Sequence, residues 1–180
     1  MRKLKLEELG RLSEEQFKNS EKTPAVVVLD NIRSLHNVGS VFRIADAFRL
    51  EKIYLCGITG TPPHREINKT ALGATETVDW EYFQDPLEVI DILNRNEYQT
   101  YCVEQTTSST MLHNFTPDPD KKYAFILGNE VFGVQDSLIE KVGNCIEIPQ
   151  FGTKHSLNVS VAAGIVIWDY VSKANSGPPV

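Results

Sequence analysis

Two hydrophobic patterns alternate along this chain, short unbroken apolar runs and stretches whose apolar residues recur at helical spacing. Residues 25–29, Ala-Val-Val-Val-Leu, form an unbroken run, the signature of a strand buried on both faces. A polar loop over 30–36 follows. Behind Asn37, an expected N-cap, Val38, Val41, Phe42, Ala45 and Phe48 then recur on one helical face. The exchange continues with a strand over 52–56, a helix or loop over 66–72, a strand over 77–82 and a helix over 86–94 opened by Asp85-Pro86. Strands over 98–103 and 123–127, a helix near 135–141, a strand over 145–148 and a long apolar helix from about 157 to 172 complete the pattern. Ahead of it, Leu6, Leu9, Leu12 and Phe17 set a looser helical period over 6–19, ended by Thr23-Pro24. Strands alternating with helices predict an α/β fold, a mostly parallel sheet flanked by helices on both faces. Ligands of such sheets bind beyond the carboxyl ends of the strands. The expected organisation is an N-terminal helical extension over 1–22, one domain over 23–172 and a disordered tail over 173–180.

Composition narrows the class. With 180 residues, 41% of them hydrophobic, the chain has material for one substantial core and little for a second. There is no apolar stretch of membrane-spanning length, and the N-terminus turns acidic at Glu7-Glu8 where a signal peptide would turn apolar. A cytoplasmic protein without membrane association is expected. Cys56, Cys102 and Cys145 are widely spaced and odd in number, which suits reduced core thiols. His36, His64, His113 and His155 are scattered singly, so no metal site is expected. The net charge of −6 opposes nucleic-acid binding, but its distribution is uneven. From 31 to 72 there are six basic against three acidic residues, and from 76 to 97 seven acidic against one basic. One region can therefore face phosphate while another stays in solvent.

Three loops at expected strand ends depart from ordinary connectors. In Asn37-Val38-Gly39-Ser40-Val41-Phe42-Arg43, Arg43 falls opposite the apolar stripe of its helix, where a guanidinium fork is either merely solvated or able to grip a phosphate or sugar oxygen. In Leu127-Gly128-Asn129-Glu130-Val131-Phe132-Gly133, glycines flank Glu130, which either is simply exposed or orients a ligand. The Gly order matches neither a dinucleotide fingerprint nor a phosphate loop. In the run from Ile148-Pro149 to Ser160, Gly152 and Ser156 could let main chain wrap a small ligand, and Ser156 serves equally as an N-cap. Pairing Ser156 with the adjacent His155 as a hydrolase site fails, because neighbours at a helix start point apart and no Gly-x-Ser-x-Gly elbow exists.

In order, Asn37-x-Gly-Ser-x-x-Arg43, Leu127-Gly128-x-Glu130-x-x-Gly133 and Ile148-Pro149 followed by Ser156-Leu157-Asn158-Val159-Ser160 closely resemble the three motifs of the SpoU/TrmH family of RNA 2′-O-ribose methyltransferases. The resemblance runs from about 24 to 172 and includes Lys69-Thr70-Ala71-Leu72-Gly73-Ala74. It implies a C-terminal trefoil knot forming an S-adenosylmethionine pocket, and a homodimer in which both chains reach the active site. Val103, Glu104, Gly128, Ile148, Ser156 and Leu157 would bind the donor, and Arg43, Asn37, Glu130 and Asn158 would serve catalysis. The implied substrate is a structured RNA, tRNA before rRNA, gripped by residues 31–72. The rival reading is a non-catalytic relative that binds RNA or senses S-adenosylmethionine on the same fold. A generic nucleotide-binding α/β protein, which would take ATP or NAD instead, is a third.

Overall fold

A computed structural model describes residues 1–174. Seven strands form one sheet in the order β3-β2-β1-β6-β4-β7-β5. In sequence they are β1 (Thr23–Asp30), β2 (Leu50–Cys56), β3 (Trp80–Phe83), β4 (Tyr98–Val103), β5 (Thr110–Met111), β6 (Lys122–Leu127) and β7 (Cys145–Glu147). Every pairing between them is parallel. The helices are α1 (Glu14–Asn19), α2 (Leu35–Ala47), α3 (Arg65–Ala71), α4 (Ala74–Thr77), α5 (Pro86–Arg95), α6 (Asp136–Val142) and α7 (Val159–Ala174).

The unbroken apolar run in β1 is explained by burial on both sides. Ala25, Val27 and Leu29 enter a core shared with Val38, Val41 and Phe42 of α2 and Ala163, Val166 and Tyr170 of α7. Val26 and Val28 enter a second core with Val89, Ile90 and Leu93 of α5 and Leu138 of α6. Burying both faces of a central strand leaves no position for a polar side chain until its end, where Asp30 sits. That carboxylate is fully buried, and it accepts from the Asn31 amide and from the Gln135 side chain and backbone. Cys56, Cys102 and Cys145 are buried free thiols, and burial pushes the Cys56 thiol up to about 12.

Several expected boundaries move, each for a local reason. The single helix over 6–19 is two pieces, a 3-10 turn at Leu6–Leu9 and α1. Gly10 takes a left-handed conformation that stops the first, and Ser13 with Gln16 forms a capping box that starts the second. Asn37 is not the cap of α2; Ser34 is, its hydroxyl accepting from the Asn37 N–H at 3.3 Å. Thr77 belongs to α4 and not to a strand, with its hydroxyl donating to Asp46 at 2.5 Å. The short β5 is an edge strand that hydrophobic patterning did not reveal. The final helix opens at Val159, capped by Asn158 and not by Ser156, since the Asn158 Oδ1 accepts from the N–H of Ser160 at 2.9 Å. It also runs on through Lys173 and Ala174, where a disordered tail was expected; the Lys173 ammonium donates to the carbonyls of Leu112 and Phe115 and pairs with Asp169. The rest of the expected tail, 175–180, lies outside the described residues.

Candidate active site

A cleft of about 440 Å³ opens at the carboxyl ends of β4, β6 and β7, within the range of roughly 300–1,000 Å³ usual for small-molecule sites. Three loops build it: the end of β4 with Val103, Glu104 and Gln105, the turn after β6 from Leu127 to Val134, and the segment between β7 and α7. All six residues expected to bind a donor, Val103, Glu104, Gly128, Ile148, Ser156 and Leu157, line this one cleft.

The turn after β6 is held by local chemistry. Asn129 and Gly133 exchange backbone hydrogen bonds at 2.9 and 2.8 Å, and the Asn129 side chain accepts from the N–H of Val131. A Cβ on Gly128 would collide with the backbone of Gly133 and Val134, so the turn folds back tightly only because position 128 has no side chain. Glu104 joins this turn to β4, one carboxylate oxygen accepting from the Gln105 N–H at 2.9 Å and the other from the Val134 N–H at 3.0 Å. Gln105 in turn donates to the His155 carbonyl at 3.0 Å, tying the third loop to the end of β4.

Glu130 is the hinge between the cleft and α2. Its two oxygens accept from the N–H groups of Arg33 and Ser34, each at 3.0 Å, and from the Asn37 side-chain amide at 3.1 Å. Desolvation pulls its carboxyl up, but these donors together with its own N–H outweigh that and hold it below the usual carboxylate range. Asn37 passes the connection on, its Oδ1 accepting from the Asn158 amide at 3.1 Å. The structure thus brings Asn37, Glu130 and Asn158 into one relay that ties α2, the β6 turn and the start of α7 together.

Arg43 stands apart. It is exposed on α2 and lines no part of the cleft. It lies six residues beyond Asn37, about 9 Å along the helix axis. On the same helix Gly39 lets α3 approach closely, since a Cβ there would strike the Ile67 carbonyl and the Thr70 hydroxyl. Arg65 and Lys69 of α3, Arg43 of α2 and Arg33 ahead of it are all exposed. The Thr70 hydroxyl donates to the His36 carbonyl at 2.9 Å, and Glu66 bridges His36 and Lys69.

Charge divides this end of the molecule. The cleft is lined by four carboxylates, those of Glu104, Glu130, Asp136 and Glu147, and by no Lys or Arg among the described residues. The basic residues stand outside it, Arg43 on α2, Arg65 and Lys69 on α3 and Arg33 just ahead of α2. Sequence reasoning missed Gln105, Asp136, Glu147 and His155 as lining residues. Position alone gave a signal for Gln105 and Glu147, at the ends of β4 and β7, and none for Asp136 and His155, which lie well away from any strand end. Gly152, expected as a place of close approach, has open space around it.

Comparison with known proteins agrees with this geometry. The profile of the SpoU rRNA Methylase family matches residues 24–168. The chain is 29% identical over 154 residues to the 23S rRNA (guanosine-2′-O-)-methyltransferase RlmB of Neisseria meningitidis serogroup B, covering 86% of this chain and 60% of that protein. A crystal structure of an AdoMet-bound rRNA methyltransferase from Sinorhizobium meliloti superposes with a TM-score of 0.75 at 26% identity, over 86% of this chain and 57% of the other. The A. aeolicus TrmH/SpoU tRNA modifying enzyme shares the fold, with a TM-score of 0.77 at 24% identity over 89% of this chain and 79% of that one. The chain spans about three-fifths of the length of the curated relatives it matches. On the match across residues 24–168, most of its length, the chain belongs to the SpoU rRNA Methylase family.

Proposed function

We propose that this chain transfers a methyl group from S-adenosylmethionine to a ribose 2′-hydroxyl of a structured RNA, tRNA before rRNA, working as a cytoplasmic homodimer. The observation that carries the proposal is the acidic cleft, from whose lining the exposed basic residues of α2 and α3 are absent. Phosphate-bearing cofactors such as ATP or NAD would meet four carboxylates with no countercharge, and a unit charge pair at 4 Å near a protein surface is worth about 4 kcal/mol. A cationic cofactor with a flat apolar base fits the same lining, where Ile148, Leu157 and Val159 supply apolar surface and Glu104 and Glu147 supply charge. Val103, Glu104, Gly128, Ile148, Ser156 and Leu157 would hold S-adenosylmethionine. When bound, it supplies an electrophilic sulfonium methyl.

The chain's own contribution is then positional and electrostatic. Holding reactants in line lowers a barrier by roughly 7–11 kcal/mol. Arginine is a poor proton acceptor in general, so Arg43 is not assigned the part of a base. Its role is to grip an RNA phosphate and stabilise the developing alkoxide, while that phosphate or a water takes the proton. Asn37, Glu130 and Asn158 fix the helix that carries Arg43 relative to the cleft.

Because Arg43 lies outside its own chain's cleft, a second copy that delivers its Arg43 completes the site. The outer face of α7 supports such a pairing, with Val161, Ile165 and Trp168 exposed in one stripe and Trp168 60% exposed. The trefoil knot is supported by strand order. β7 enters between β4 and β5, and Lys173 at the end of α7 is fastened to Leu112 and Phe115 in the connection that leads into β6.

The test is incubation with methyl-labelled S-adenosylmethionine and unmodified total RNA, then digestion to nucleosides. Label in a 2′-O-methylnucleoside is expected, and fractionated tRNA should carry more of it than rRNA. Absence of label from every RNA class would refute the proposal and favour a non-catalytic binder.

A further inference from the structure

The rim of the cleft carries two aromatic rings in open solvent. Phe132, at the tip of the β6 turn, lines the cleft and is 86% exposed; Phe151, which follows the lining residue Gln150 on the segment between β7 and α7, is 98% exposed. A phenylalanine finds a buried place in most folds, and each of these instead stands exposed on a loop that contributes to the cleft. Asn129 accepts from the N–H groups of Val131 and Phe132, at 2.9 and 3.2 Å, and so orders the backbone at the tip that carries the first ring. Gln105 secures the second loop through the His155 carbonyl. The same turn reaches the exposed Arg33 through Glu130, which accepts from the Arg33 backbone N–H at 3.0 Å, and Arg43, Arg65 and Lys69 are exposed on α2 and α3.

Resting on the methyltransferase reading above, we infer that Phe132 and Phe151 form a stacking clamp for the base of the nucleotide whose ribose is methylated, so that the substrate is an unpaired nucleotide in an RNA loop, bulge or end. Flat apolar rings beside the cleft and cations further out match the two halves of a single-stranded nucleotide, a base with a π-face and a charged backbone. A nucleotide inside an A-form duplex keeps its base stacked on its neighbours and offers the rings nothing. The clamp is indifferent to base identity, because every base has a face to stack.

The test uses the full chain with Phe132→Leu, Phe151→Leu, the double Leu variant and the conservative Phe132→Tyr and Phe151→Tyr variants. Both positions are solvent-exposed, so folding is expected to be unchanged, checked by thermal unfolding. Binding is read by fluorescence anisotropy with a fluorescein-labelled RNA hairpin carrying a seven-nucleotide loop and with a fully paired RNA duplex of equal length. Turnover is read by label transfer from S-adenosylmethionine to total tRNA. Each Leu substitution should weaken hairpin binding and raise the KM for RNA about 10-fold. The double variant should no longer prefer hairpin over duplex, and the Tyr variants should retain most of the wild-type preference. Unchanged RNA KM in the double Leu variant, alongside normal wild-type turnover, would overturn the clamp while leaving the methyltransferase reading intact. A loss of S-adenosylmethionine affinity equal to the loss for RNA would assign the rings to the cofactor, and dissociation of a dimer by either Leu variant would assign them to a subunit contact; each overturns the inference. No label transfer by the wild-type protein to any RNA would sink the functional reading and the clamp together.

Discussion

Replacing Glu130 by Gln separates a positioning role for this carboxylate from a chemical one. The side chain keeps its size, but one of its two acceptor oxygens becomes an NH2 donor. In the native arrangement one oxygen takes the Arg33 N–H and the other takes Ser34 and Asn37. Gln can satisfy one side only, and its amide then faces an N–H at the start of α2. A hydrogen bond to a charged group is worth about 1.5–3 kcal/mol, and a carboxylate at a helix N-terminus adds roughly 0.3–1 kcal/mol. Because Glu130 is partly exposed, the lower part of that range applies, and the expected destabilisation is about 2 kcal/mol. For a chain of this size that lowers Tm by about 4–8 °C, measurable by calorimetry or circular dichroism. The folded carboxyl lies below its unfolded value, so its contribution is present in full above the unfolded value, about 4.3, and is lost as pH falls through the folded one. The Tm gap between wild type and Glu130→Gln should therefore be complete at pH 7 and should narrow below about pH 4. Turnover should fall with it, since α2 carries Arg43. Unchanged Tm at neutral pH together with abolished turnover would refute the positioning role and return Glu130 to the chemistry.

Arg43→Ala should abolish methyl transfer while leaving S-adenosylmethionine affinity, measured by calorimetric titration, at the wild-type value; equal loss of both would make Arg43 a structural residue. Gly128→Ala places a methyl against the backbone of Gly133 and Val134, and overpacking of that kind costs about 1–3 kcal/mol; displaced turn residues should also weaken S-adenosylmethionine binding, and wild-type affinity would mean the turn is not part of the cradle. Trp168→Glu puts a charge into the exposed stripe of α7 and should convert dimer to monomer in light scattering, with loss of turnover because Arg43 no longer reaches a partner's cleft. A ligand panel read by melting temperature should separate cofactor classes: at about 100 times its Kd, S-adenosylmethionine adds roughly 2.7 kcal/mol, whereas ATP and NAD should give no shift.

Much of this molecule was legible from local pattern. The apolar run in β1, the helical spacing from Val38 to Ala45 and the long apolar helix before the tail each report burial, and burial repeats with the geometry of strand and helix. The six residues that the family resemblance pointed to lie together along one cleft, at the carboxyl ends where parallel sheets collect ligands. What local pattern could not decide is who partners whom. Ser34 caps α2 and Asn158 caps α7 because Asn37 and Ser156, each a plausible cap by type, sit elsewhere once neighbouring elements pack. Asn37 meets Glu130 across 93 positions and Asn158 across 121, and β7 slips between β4 and β5. Such pairings depend on the order in which strands assemble, which no periodicity encodes. The separation of Arg43 from the cleft is of the same kind: a helix face can be read from spacing, but what that face looks toward is set only when the sheet, the turns and α7 close around it.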